Sequence, residues 1–239
     1  MAGKLYIVPT PVGNLADMTP RGVEVLKNVS HVFAEDTRTS LPLLKSFGIN
    51  TPLSSHHKYN EHLSVDGIVK MIKDGDDVAL ISDAGTPGIS DPGFLLSREC
   101  RKEDIEVVTL PGATAFVPAL VSSGLPCERF IFQGFLPQKK GRQTRINEIA
   151  NSEVTSIIYE SPVRLVKTLL ELSEKCGKDR PASVSREISK MFEETVRDTL
   201  ENLAEYFKQN IPKGEIVIIV APASTEKTKI HQNKYRNHE

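Results

Sequence analysis

Val78-Ala79-Leu80-Ile81-Ser82-Asp83-Ala84-Gly85-Thr86-Pro87-Gly88-Ile89-Ser90-Asp91-Pro92-Gly93 changes character a quarter of the way along. Its first four residues form a short apolar run, the pattern of a strand buried on both faces. The rest carries three glycines, two prolines and two aspartates, which no helix or strand interior accepts. A buried strand that opens into a stiff, glycine-rich loop is a common ligand site in an α/β protein. Strand carboxyl ends leave backbone N–H groups free, and glycine lets a ligand approach the main chain. Pro87 and Pro92 restrict φ and predict a rigid loop. A structural Ω-loop is the alternative reading.

The same alternation extends on both sides of this stretch. Upstream, residues 4–8 and 31–34 read as strands. Helices follow from Thr19-Pro20 to about Val29, through Leu41, Leu43, Leu44 and Phe47 to Gly48, and through Leu63, Ile68, Val69 and Ile72. Thr19 supplies an N-cap, Pro20 a first helical position and Gly48 a C-terminal stop. Downstream come a helix near 94–101, a strand at 105–110 and a small-residue helix from Pro111-Gly112 to Ser123. Strand, loop and helix in repetition predict a largely parallel sheet covered on both faces.

Gly124-Leu125-Pro126 is the candidate boundary, giving an N-terminal α/β domain over 1–123 and a C-terminal one over 124–222. The second half reads as strands at 129–132, 155–159, 182–186 and 215–220, helices at 142–150, 162–176 and 199–208, and a polar connection after 186. Its short strands leave α/β and α+β both open. Residues 223–239 are rich in lysine, asparagine and histidine and are expected to be a mobile tail.

A chain of 239 residues with 39% hydrophobic and 26% charged residues has ample material for a globular core. The net charge of −1 provides no global positive field, so any nucleic acid must be met by a local patch. The longest apolar run, 216–221, is far too short for a bilayer, and no signal peptide is read at the N-terminus. Cys100, Cys127 and Cys176 lack metal-ligand spacing and read as free thiols in a reducing, cytoplasmic setting.

Motif by motif, several chemistries drop out. Residues 9–14 lack the G-x-G-x-x-G spacing of a dinucleotide site and the lysine of a P-loop. No H-E-x-x-H or paired Cys/His pattern supports zinc, and G-x-S-x-G is absent. His56 and His57 read as solvated loop residues rather than metal ligands, so no metal site is expected. What remains is a set of loops at strand carboxyl ends, mixing small residues with one or two polar ones, as a snug organic-ligand pocket requires.

Taken together and in order, Tyr6-Ile7-Val8-Pro9-Thr10-Pro11-Val12-Gly13-Asn14-Leu15, Glu35-Asp36-Thr37-Arg38, Ser82-Asp83-Ala84-Gly85-Thr86-Pro87, Gly134-Phe135-Leu136-Pro137, Tyr159-Glu160-Ser161-Pro162 and Lys213-Gly214-Glu215 resemble the bacterial 16S ribosomal RNA (cytidine-2′-O)-methyltransferases. That family, ribosomal RNA small subunit methyltransferase I, belongs to the tetrapyrrole-methylase superfamily. The resemblance covers about 4–221. It implies a two-domain class III methyltransferase fold with S-adenosylmethionine in the cleft between domains, a homodimer, and a decoding-region cytidine of 16S ribosomal RNA in the small subunit as substrate. Carried over by position, it puts the cofactor on Pro11, Asp83, Ala84, Gly85, Thr86, Ile89, Thr114, Ala115 and Tyr159. Helix packing is the competing explanation for Thr114 and Ala115.

A ribose 2′-hydroxyl needs a nearby base to become a good nucleophile. Asp36 is the first candidate and Glu187 the second, with pairing to Arg38 or helix capping the alternative for Asp36. Arg38, His57, Asn60 and Glu61 are candidates to face the RNA. Lys139, Lys140, Arg142 and Arg145 form the densest basic cluster, suited to phosphates or simply a solvated helix face. Two positions depart from the family pattern: Tyr59 stands where a histidine is usual, and Val163 where a histidine is frequent. Two rivals remain open, a same-fold enzyme acting on a tetrapyrrole or protein and a catalytically silent ribosome-binding module.

Overall fold

The computed structural model describes residues 2–57 and 61–223, with the side chains of residues 61–63 left out. Two five-stranded sheets organise it. The first is built from β1 (Lys4–Ile7), β2 (His31–Ala34), β3 (Leu53–Ser55), β4 (Val78–Ile81) and β5 (Glu106–Thr109). Its order is β3-β2-β4-β1-β5, and every pairing is parallel. As the apolar run predicted, β4 lies inside the sheet and all four of its residues are buried.

Alternation along the strands splits the core in two. Leu5, Ile7, Val78 and Leu80 face α3 (Glu61–Lys73) and α4 (Phe94–Lys102). Val8, Ala79 and Ile81 face α1 (Pro20–Asn28) and α2 (Thr37–Ser46). The neighbouring strands β1 and β4 therefore send their chains to opposite faces. This is the switch point at which a parallel sheet opens a crevice beyond its carboxyl edge.

The second sheet contains β6 (Phe130–Phe135), β7 (Thr155–Glu160), β8 (Pro181–Arg186), β9 (Glu194–Thr199) and β10 (Ile216–Val220), in the order β6-β7-β10-β8-β9. Only β6 and β7 pair in parallel; the other pairings are antiparallel. On one face Ile158, Val184 and Ile218 pack against α6 (Arg142–Ala150), α7 (Pro162–Cys176) and α8 (Leu200–Gln209). On the other, Ile157, Val217 and Ile219 meet Ala119 and Leu120 of α5 (Phe116–Ser123).

Three differences from the sequence reading follow from packing. The segment read as a polar connection contains β9, an edge strand whose Arg197 and Asp198 are exposed. β6 continues through Gly134 to Phe135, helped by a register shift after Phe132 and a φ of +61° at Gly134. Helix α5 starts at Phe116 rather than at Pro111, and it packs on the second sheet although it precedes the boundary read at 124. Among the described residues no helix is long and apolar enough to cross a membrane.

Candidate active site

The carboxyl edge of the first sheet faces the edge of the second where β7 ends and β10 begins. Between them is a cleft of about 440 Å³, within the ~300–1,000 Å³ range of small-molecule sites. From the first sheet it is lined by Val12, Glu35, residues 83–86, residues 89–91, Thr114 and Ala115. From the second come Phe135, residues 159–162, Ile188 and residues 214–217.

The loop after β4 is tied down at its base. Gly85 and Thr10 exchange two backbone hydrogen bonds, each 2.9 Å. Ser82 Oγ donates to Gly85 O at 3.0 Å, and Thr86 Oγ1 donates to Ala113 O at 3.0 Å. Gly85 holds φ at +85°, and the nearest atom to a Cβ there would be Ala113 O at 3.7 Å. The position thus needs glycine for its backbone and presents bare main chain to the cleft. On the opposite wall Tyr159 stacks edgewise on Phe132 and Phe135, with centroids 5.0 and 5.6 Å away. Burial pushes its hydroxyl up to about 12, so it stays neutral.

Of the positions assigned to the cofactor, Asp83, Ala84, Gly85, Thr86, Ile89, Thr114, Ala115 and Tyr159 all line this cleft. Pro11 is buried just behind it, beside Val12, which does line it. Ala115 also packs against the α5 core, so its two explanations coexist.

The catalytic candidates lie differently. Asp36 caps α2, accepting from Arg38 N at 2.8 Å, and its carboxylate is held by Arg38 Nε and Nη2 at 3.0 and 2.6 Å. That guanidinium keeps its pKa down at about 2. Both alternatives for Asp36, pairing and capping, are therefore present. Glu187 has φ of +52° and points at the chain before β10. Its Oε1 accepts from Lys190 Nζ at 2.9 Å and Glu215 N at 3.1 Å, and the lysine holds its pKa below the usual carboxylate range. A Cβ at Gly214 would fall 2.0 Å from that oxygen, which explains the glycine of Lys213-Gly214-Glu215. Neither side chain lines the cleft, and both are engaged in structural contacts.

Arg142 is corrected outright. It is buried, with Nε 2.7 Å from Glu171 Oε2, Nη2 2.7 Å from Thr168 Oγ1 and Nη1 3.3 Å from Pro137 O. Thr168 in turn donates to buried Glu160, which also accepts from Arg164 Nε and Ser161 N. This chain of contacts joins Gly134-Phe135-Leu136-Pro137 to Tyr159-Glu160-Ser161-Pro162 and fixes one wall of the cleft; none of it is left for phosphate. Lys139 and Lys140 are exposed, as is Arg145, which pairs with Glu148 at 2.8 Å. Arg38 is exposed but engaged by Asp36.

His56, read as a solvated loop residue, is buried and its Nδ1 lies 2.7 Å from Ser64 Oγ. His57 is half-buried beside it. Tyr59 and Asn60 lie outside the described residues, and Glu61 opens α3 without a described side chain. Among the described residues no cluster of His, Cys, Asp or Glu suits a metal ion. Cys100 and Cys176 are buried and Cys127 exposed, all as thiols.

Sequence reasoning did not single out Glu35, Asp91 and Glu215 as parts of one site. Burial raises the pKa of Glu35 and of Asp83, each helped by the other's charge. Burial among Glu35, Asp83 and Glu215 lifts Asp91 to about 7. The signal was present in two of the quoted motifs, but only the fold brings the second sheet's Glu215 across from them.

Known proteins share this arrangement. The model of the "Tetrapyrrole (Corrin/Porphyrin) Methylases" matches residues 4–204. The chain is 47% identical to ribosomal RNA small subunit methyltransferase I of Synechocystis sp., covering 94% of this chain and 81% of that one. It is 46% identical to the protein of that name from Pseudomonas aeruginosa, covering 92% and 79%. The corresponding protein of Hydrogenobaculum sp. is 44% identical, with 93% and 97% covered. Among solved structures, a diphthine synthase superposes with TM-score 0.72 at 14% identity, over 92% of this chain and 90% of that one. The methyltransferase CobJ gives 0.68 at 19%, over 93% and 95%. At such identities these two speak for the fold alone. The match across most of the chain, with close relatives along nearly its whole length, makes this chain a member of the tetrapyrrole methylase family, in the ribosomal RNA small subunit methyltransferase I group.

Proposed function

We propose that this chain is an S-adenosylmethionine-dependent methyltransferase that modifies the 2′-hydroxyl of a cytidine in the decoding region of 16S ribosomal RNA. One observation carries the reading: the loops assigned to the cofactor from sequence converge on a single cleft of fitting size. The residues there suit the group. Bare main chain at Gly85 and small side chains at Ala84, Thr114 and Ala115 admit a flat adenosine, while Ile89, Ile216 and Val217 cover apolar atoms. Glu35, Asp83, Asp91 and Glu215 give the cleft a negative field suited to a cation. Bound there, the cofactor supplies an electrophilic methyl group on a positively charged sulfur. The protein then has to hold the acceptor oxygen in line and keep water out, which the narrow gap between the two sheet edges favours.

The acceptor side is formed by what surrounds the cleft. Lys139, Lys140 and Arg38 stand exposed for phosphate contact, and RNA reaches such a site through an unstacked nucleotide. Arg142 serves this reading only by bracing the wall. A homodimer is supported by exposed apolar residues on the edge strand β6, Phe130 and Ile131, next to Val117 and Val121 of α5. Phe116 joins the two patches, 6.1 Å from Phe130. A cytoplasmic location follows from the substrate. The boundary between the two units falls near 111–115 on this reading, since α5 packs with the second sheet.

The test is transfer of labelled methyl groups from S-adenosylmethionine to small ribosomal subunits from a strain lacking the modification. Naked 16S RNA and a porphyrinogen run in parallel. Label on the subunit or its RNA is expected; label on the porphyrinogen alone overturns the substrate assignment.

A further inference from the structure

Six carboxylates stand in or against the cleft, and their partners sort them. Asp36 is held by Arg38, Glu160 by Arg164 and Thr168, and Asp83 accepts from Asp36 N at 3.2 Å. Glu215 is exposed and lies 3.2 Å from Lys190 Nζ. Among the described residues, no hydrogen bond or ion pair reaches Glu35 or Asp91. These two differ in what they face. The charges felt by Glu35 are Asp83, Asp36 and His57, all from the first sheet's side. Asp91 feels Glu35 from the end of β2, Asp83 from the end of β4 and Glu215 from the start of β10, and it acts on Tyr159 of β7. Of the two, Asp91 is the one that looks across both walls.

Its presentation is rigid. Ser90 before it holds φ of +67°, a left-handed value uncommon outside glycine. Pro92 follows, and Gly88 N donates to Pro92 O at 3.2 Å. A Cβ at Gly134 would come within 3.2 Å of Ser90 Oγ, so the loop tip is seated on β6 of the opposite sheet. A strained backbone held at a cleft is a recurrent mark of a functional position.

We propose that the Asp91 carboxylate accepts the proton of the acceptor hydroxyl during methyl transfer. This rests on the proposed function, since it requires a hydroxyl acceptor. The acceptor oxygen bonds to the methyl carbon as the carbon–sulfur bond breaks and its electron pair stays on sulfur. The hydroxyl proton moves to Asp91, leaving a methyl ether, a neutral thioether and a neutral carboxyl group that later releases the proton to water. Positive charge is lost from sulfur and negative charge from Asp91 in the same event, so the cleft ends with no new net charge. Burial among Glu35, Asp83 and Glu215 gives this carboxyl the proton affinity of an effective base near neutral pH.

Asp91→Asn keeps shape and removes the base. The expected result is a kcat lower by about 100-fold or more, with calorimetric cofactor affinity unchanged. In the unmodified chain the kcat/KM profile rises through about pH 7, and the variant lacks that limb. A readout without cofactor or turnover accompanies it: a carbon-13 NMR titration of the Asp91 carboxyl, expected near pH 7. A variant with wild-type kcat, a variant that loses cofactor affinity as much as kcat, or an Asp91 titration in the ordinary carboxylate range overturns the inference. Transfer by both chains at equal kcat sinks this inference alone. Absence of transfer to RNA by the unmodified chain sinks the functional reading and this inference with it.

Discussion

Gly85 shows most plainly how one residue serves both fold and site. Its φ of +85° costs an L residue about 1–2 kcal/mol, and any side chain there projects toward the cleft. Gly85→Trp should therefore lose cofactor binding in calorimetry while melting only modestly earlier; retained affinity would argue that the ligand sits elsewhere. Asp91 carries a second residue-scale consequence. Its folded pKa of about 7 lies above the ordinary value of 3.8, so between those limits the folded state binds the extra proton. The stability contributed by Asp91 is complete below about pH 4 and lost as pH rises through about 7. Relative to the unmodified chain, Asp91→Asn should gain melting temperature as pH is raised across that window, measured by scanning calorimetry without ligand. A constant difference across the window would contradict it.

At the scale of elements, the wall built by β6, β7 and α7 depends on the buried chain from Arg142 to Glu160. Removing one partner of a buried ion pair typically costs about 3–5 kcal/mol; Arg142→Ala should fall near the low end because Glu171 is 21% exposed. Denaturant unfolding measures that loss, and Lys139→Ala with Lys140→Ala should leave stability unchanged while weakening RNA binding. This contrast also marks what sequence conveys. Arg142 stands in a run of basic residues, and nothing in the run tells which side chain turns inward; that depends on Glu160, Thr168 and Glu171 arriving from other elements. β4 and β10 were legible because a strand buried on both faces is apolar throughout. β9 was not, since its Glu194, Arg197 and Asp198 lie on an edge where polar residues are tolerated. The cofactor loops were legible because their glycines and prolines mark strand ends. The role of Asp91 was not, because its environment is made by three carboxylates from three different strand ends.

At the scale of the molecule, function resides in the gap between two sheets of different construction. The parallel sheet supplies a crevice through its switch point, and the mixed sheet closes it with the adjoining ends of β7 and β10. The exposed apolar strip on β6 and α5 is the surface expected to pair with a second copy. Val121→Asp combined with Ile131→Asp should halve the mass found by sedimentation without altering the circular dichroism; an unchanged mass would place the interface elsewhere. The central claim is that this cleft methylates a ribose oxygen of RNA, and nucleoside analysis by mass spectrometry of RNA labelled by the enzyme tests it most directly. The account predicts 2′-O-methylcytidine at one position as the labelled nucleoside; label on a base, or on no nucleoside at all, would contradict it.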